Sequence, residues 1–171
     1  MDKKLYQLAD RIAIQLTTSG DCLGTAESCT GGWVAKCLTD VPGSSQWFER
    51  GYVVYNGLAK QQMLGVPAST IEENGEVSEA VVRALAEGVL SHSNASISLA
   101  ISGIAGPGGG SDAKPVGTVW FAWSVAEKVA GVVRGVKTIA DTQCFSGDRE
   151  AVRRQAVMHA LQGVLELFDG S

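Results

Sequence analysis

Histidine is almost missing from this chain, which carries only His92 and His159 in 171 residues. A histidine base or a His-rich metal site has little to draw on, and neither histidine is placed convincingly beside a serine. Paired cysteines are missing as well. Cys22, Cys29, Cys37 and Cys144 make no C-x-x-C spacing, which argues against a zinc site. They read instead as four small buried hydrophobes of a reducing compartment. Positive charge is short, with 14 Lys and Arg against 18 Asp and Glu, a net charge of -4. A surface that displaces counterions from nucleic acid needs the opposite balance, so no nucleic-acid partner is expected. Long apolar runs are also lacking. No stretch approaches the length of a membrane span, and the start MDKKLYQLADRI has no uninterrupted apolar segment of the secretory kind. The expectation is a cytoplasmic protein with no membrane partner.

What remains suits a globular fold. Residues 1–171 fit one domain, and an apolar share of 45% with a charged share of 19% argues against disorder. Leu5, Leu8, Ile12 and Leu16 recur at helical spacing, predicting a helix from Lys3 to Thr18 stopped by Ser19-Gly20. A short strand is expected over 22–27, a helix from Trp33 to about Thr39, and a loop at 41–45. Aromatic and β-branched residues predict a strand from Trp47 to Tyr55. Helices follow at 58–64 and 77–90, then a strand at 97–103 that empties into the glycines of 106–110. Two strands, 116–125 and 130–139, read as a hairpin turning near Glu127-Lys128. The last helix carries the stripe Val152, Ala156, Ala160, Val164 and Phe168. Alternating helices and strands followed by a hairpin predict an α/β fold, a three-layer α/β/α sandwich around a mixed sheet.

Three turns carry residues suited to chemistry. Glu27-Ser28-Cys29-Thr30-Gly31-Gly32 joins a strand to a helix, where small residues and exposed amides favour an anion. Ser28 or Thr30 could equally serve as an ordinary helix cap, but a cap does not explain two hydroxyls and two glycines together. Ser102-Gly103-Ile104-Ala105-Gly106-Pro107-Gly108-Gly109-Gly110 follows a buried strand, the place where open α/β sheets bind ligands. It is neither a Walker A loop nor G-x-G-x-x-G. The third turn, Phe145 to Arg154, puts Arg149, Arg153 and Arg154 in the first turns of the final helix. There they either pair with Asp148 and Glu150 or hold an anion against the helix start. Ser44, Ser45, Tyr55 and Lys60 form a looser set, in which a desolvated lysine could activate a serine.

Taken together, Thr25-Ala26-Glu27-Ser28-Cys29-Thr30-Gly31-Gly32, Pro42-Gly43-Ser44-Ser45 and Ser102 to Gly109 resemble the CinA C-terminal domain family. Lys114-Pro115-Val116-Gly117-Thr118-Val119-Trp120 and Phe145-Ser146-Gly147-Asp148-Arg149 extend the likeness over nearly the whole chain. The stand-alone form of that family is a nicotinamide-nucleotide amidase of the PncC type. The resemblance implies hydrolysis of nicotinamide mononucleotide to nicotinate mononucleotide and ammonia, an α/β/α fold, no metal or cofactor, and a homodimer. Carried over by residue, Ser45 would be the nucleophile, Lys60 its base and Tyr55 the partner of the lysine. Ser28 would be a second polar group, or the nucleophile if the two serines exchange roles. Glu27, Thr30, Gly31, Gly32, Ser102, Gly106 and Arg149 would hold the phosphate, ribose or carboxamide. Where the family commonly reads Tyr-Ser-Asn before the lysine, this chain has Tyr55-Asn56-Gly57-Leu58-Ala59-Lys60. Two other readings stay open: a catalytically silent nucleotide- or partner-binding module, and an amidase for another phosphorylated amide.

Overall fold

The computed structural model describes residues 2–169. Helix α1 (Lys3–Ser19) begins where the Asp2 carboxylate accepts the Lys4 and Leu5 amides, and ends at Gly20 in left-handed conformation. Leu5, Ala9, Ile12, Ala13 and Leu16 form its buried stripe. Strand β1 (Leu23–Glu27), buried along its whole length, leads into helix α2 (Trp33–Thr39). A 3-10 turn (Ser44–Gln46) precedes strand β2 (Phe48–Val53). Helices α3 (Gly57–Leu64), α4 (Ala68–Asn74) and α5 (Glu79–Ser91) then lead to strand β3 (Ile97–Gly103). The long hairpin β4 (Thr118–Val129) and β5 (Val132–Cys144) comes next, and helix α6 (Arg149–Glu166) closes the fold.

The five strands lie in the order β2-β1-β3-β4-β5. β1 runs parallel to β2 and to β3, while β3-β4 and β4-β5 are antiparallel, so the sheet is mixed as expected. On one face α1, α2 and α6 pack over Leu23, Ile97, Leu99, Ile101, Val119, Phe121 and Trp123. On the other, α5 lies over a row of small residues that face one another across the sheet, Ala26, Ala100 and Ala122. Small side chains there let the helix axis come close. A Cβ on Gly24 would stand 2.6 Å from Val89 Cγ1.

One close approach yields a direct stability test. The Trp123 indole donates to the Ala160 carbonyl at 3.1 Å and packs against α6 at Gly163, where a Cβ would stand 2.1 Å from ring atom Cζ2. Both partners are buried and backbone-bound, so neither can move cheaply. Gly163→Ala is expected to cost about 1–3 kcal/mol of unfolding free energy, although alanine is the better helix former. Urea denaturation of the two proteins checks it.

The structure departs from the sequence expectation at two elements and in the burial of the cysteines. Helix α4 was not expected, because it buries no residue and so carries no apolar stripe for periodicity to reveal. The hairpin turns at Ala130-Gly131, both at positive φ (51 and 78), rather than at Glu127-Lys128, where the pairing only shifts register. Beyond Ala126, whose amide still reaches Ser96, the hairpin projects as a two-stranded ribbon with Val129 and Val132 exposed. On such a ribbon a polar pair is no sign of a turn. The cysteines also divide: Cys29 and Cys37 are buried, Cys22 is half-buried and Cys144 is exposed, all four with free thiols.

Candidate functional site

β1 leads outward through α2 to β2, and the chain then returns over the opposite face to β3 on the other side of β1. The crevice between the ends of β1 and β3 is therefore where strand order reverses, the usual ligand position in open α/β sheets. Ser28 sits in it, one residue past β1, with its amide bonded to the Ile101 carbonyl of β3. The turn from β1 into α2 is held from inside. Glu27, 1% exposed, faces the α2 side and accepts the Val34 and Ala35 amides at 2.8 and 3.0 Å and the Thr30 hydroxyl at 2.7 Å. These are the amides a helix start would otherwise offer to an anion.

Lys60 reaches the same crevice from α3. Its amine is fully buried and lies 3.2 Å from Ser28 Oγ, 3.3 Å from the Tyr55 carbonyl and 3.4 Å from a Glu76 carboxylate oxygen. Ser28 Oγ also donates to the Tyr55 carbonyl at 3.2 Å, so one carbonyl oxygen anchors both groups. Burial lowers the pKa of the Lys60 amine, and the Glu76 carboxylate opposes that only in part. The neighbouring Cys29 thiol moves the other way, pushed up to about 11 by burial, and is a neutral bystander at ordinary pH. Among the described residues the Cys29 and Thr30 amides, which follow Ser28 in the turn, donate to no main-chain carbonyl. A buried hydroxyl, a deprotonatable amine in contact with it and free amides beside it are the parts of an acyl-transfer site.

The expected site residues divide sharply. Ser28, Lys60 and Tyr55 come together, but Tyr55 takes part through its main-chain carbonyl. Its phenol is turned to Arg149, whose guanidinium donates to the Tyr55 hydroxyl at 2.9 Å and to the buried Gly106 carbonyl at 2.8 Å. Arg149 thus ties the glycine loop to the chain leaving β2 and stays exposed at the rim. Ser45, expected as the nucleophile, does not join Ser28 and Lys60: it is exposed in the turn before β2, beside the start of β1, where the Leu23 amide donates to the Trp47 carbonyl. β1 then separates it from Ser28 by roughly 15 Å at about 3.3 Å per residue.

Glu27 and Thr30, expected at the ligand, brace their own turn, with the Glu27 carboxylate accepting the Thr30 hydroxyl and the Val34 and Ala35 amides. Gly31 and Gly32, at φ 60 and 96, give that turn its left-handed course. Ser102, 1% exposed, donates its hydroxyl to the Glu76 carbonyl at 2.9 Å and so fixes the loop before α5. Of the three arginines only Arg149 reaches the site. Arg153 donates to the Cys29 and Thr30 carbonyls and lies over the Trp33 ring, and Arg154 pairs with Asp2. Glu76 was missed by the sequence reading. The one available signal was indirect: a lysine that is to be buried needs a counter-charge, and the run Glu72-Glu73-Asn74-Gly75-Glu76 follows it. Among the described residues no three His, Cys, Asp or Glu side chains converge as metal ligands would, and no helix is long and apolar enough to cross a membrane.

Known proteins carry the same fold over the same length. A competence/damage inducible protein, CihA, from Agrobacterium tumefaciens superposes with a TM-score of 0.90 at 36% identity, covering 99% of this chain and 98% of that one. The nicotinamide-nucleotide amidohydrolase PncC of Escherichia coli strain K12 is 51% identical over 167 residues, 98% of this chain and 96% of its own length. The protein of the same name from Pseudomonas putida is 48% identical over 160 residues, 94% of each. Residues 5–168 match the model of the CinA C-terminal domain. The chain belongs to the CinA C-terminal domain family.

Proposed function

We propose that this protein hydrolyses the carboxamide of nicotinamide mononucleotide, releasing ammonia and nicotinate mononucleotide, with Ser28 as the nucleophile and Lys60 as its base. One observation carries the reading: the Ser28 hydroxyl stands 3.2 Å from a fully buried amine whose pKa burial lowers. The names borne by full-length relatives at 48–51% identity supply the substrate.

The chemistry follows from those contacts. Neutral Lys60 takes the Ser28 proton as Oγ attacks the carboxamide carbon, and the charge that develops on the amide oxygen falls to the unpaired Cys29 and Thr30 amides. The Lys60 ammonium returns its proton to the departing nitrogen, so ammonia leaves and an ester remains on Ser28. Water, deprotonated by the same amine, cleaves that ester and restores the serine. Tyr55 contributes the carbonyl that holds hydroxyl and amine together, and Arg149 at the rim offers a cation to the phosphate. Anchoring that remote group positions the amide for attack.

Purified protein incubated with nicotinamide mononucleotide should release ammonia in step with loss of the amide. A protein that melts higher in the presence of the nucleotide yet releases no ammonia is a binding module, and the hydrolytic reading falls.

A further inference from the structure

Resting on the amidase reading, we infer that Glu76 is the positioning residue of the Lys60 base and that Gly57 exists without a side chain to admit it. Glu76 leaves the loop between α4 and α5, and its two carboxylate oxygens do different things. Oε1 accepts the Gly57 amide at 2.9 Å, in the first turn of α3, where Asn56 already caps Ala59. Oε2 takes the Lys60 amine at 3.4 Å. The loop behind it is fixed by Ser102, whose hydroxyl holds the Glu76 carbonyl. A carboxylate pinned to the backbone one turn before the lysine therefore defines where the amine points.

The space for this arrangement is specific. A Cβ on residue 57 would lie 2.8 Å from Glu76 Oε1, closer than real contacts allow. The position shows no left-handed φ, so glycine is not required by the backbone conformation. Its lack of a side chain is accounted for by the carboxylate beside it.

The charge environment of the amine is simple enough to test. Around it stand the Ser28 hydroxyl and Cys29 thiol from the turn after β1, the Tyr55 carbonyl from the end of β2, and Glu76 from before α5. Arg149 of α6 gives its guanidinium to Gly106 and the Tyr55 phenol. Glu76 is the amine's single salt-bridge partner among the described residues, and it favours the protonated form.

Glu76→Gln keeps the shape and removes the charge. In protein carrying 13C at the lysine ε-carbon, with the Lys60 signal identified by its loss in Lys60→Met, the titration midpoint should fall by roughly 0.5–1 pH unit. The carboxylate's partial exposure keeps the change at this modest size. The acid limb of kcat/KM for ammonia release should fall with it, while KM stays put. Gly57→Ala, which pushes the carboxylate aside, should move the midpoint the same way and add nothing in the Glu76→Gln background. A midpoint that stays or rises in Glu76→Gln overturns the inference, whatever happens to stability. The NMR titration needs no turnover. Should the midpoint fall while Ser28→Ala retains full activity, the pair is real and the amidase mechanism is what fails.

Discussion

Ser28→Ala is expected to lose ammonia release by about 10³-fold or more, at least ~4 kcal/mol of transition-state stabilisation, while Ser45→Ala stays within about twofold of the parent. The two variants differ in nothing but location. Ser28 is 6% exposed and touches the Lys60 amine, whereas Ser45 is exposed before β2, and β1 stands between the two. Removing the Ser28 hydroxyl deletes one bond to the Tyr55 carbonyl and one from Lys60, whose buried amine keeps the Tyr55 carbonyl and Glu76 as partners. That costs about 1 kcal/mol of stability, and the variant should therefore fold normally. Ammonia release and the thermal midpoint, measured side by side on both proteins, separate lost chemistry from lost structure. Loss of activity in Ser45→Ala with Ser28→Ala intact would reverse the assignment.

The chain alone carries one signal that separates Ser28 from Ser45. Both occupy turns beside strands, and both are followed by small or polar residues, so residue type does not choose. Position relative to the strand does. Ser28, Ser102 and Tyr55 all come after or at the end of a strand and so gather at one edge of the parallel part of the sheet, while Ser45 comes before one and lies at the other. The sheet and its layers were legible because their signals are local. The stripe of α6 and the buried run of β3 each announce burial within a few residues. What stayed hidden was where a polar side chain spends its bonds. Glu27 and Thr30 have the composition of a ligand site, yet they satisfy each other and the start of α2, an outcome set by the side of β1 on which Glu27 emerges. Glu76 was invisible for the complementary reason. Its partner Lys60 stands 16 positions earlier on α3, and a loop anchored by Ser102 brings them together.

Lys60→Met should be the other variant with a very large effect, losing about 10²–10⁴-fold in ammonia release while becoming no less stable at neutral pH. The two halves of this expectation share a cause. The amine is fully buried and its folded pKa lies below the ordinary value near 10.4, chiefly because burial disfavours the charged form. The folded protein thus binds that proton less tightly than the unfolded chain does, so protonation favours unfolding. Stability of the parent therefore rises with pH between the folded pKa of Lys60 and about 10.4, and the penalty is complete below the folded value. Methionine has much the same reach and never charges, so this dependence vanishes in the variant. Glu76, left without its partner, is half exposed and can turn to water, which keeps the loss on that side small. Denaturant melts at several pH values should show the variant gaining on the parent as pH falls through this window, with the two curves meeting above it. A variant that keeps more than about a tenth of the parent's activity would remove Lys60 as the base. One that is less stable at every pH would mean that the buried amine is held there by its hydrogen bonds rather than tolerated for its chemistry.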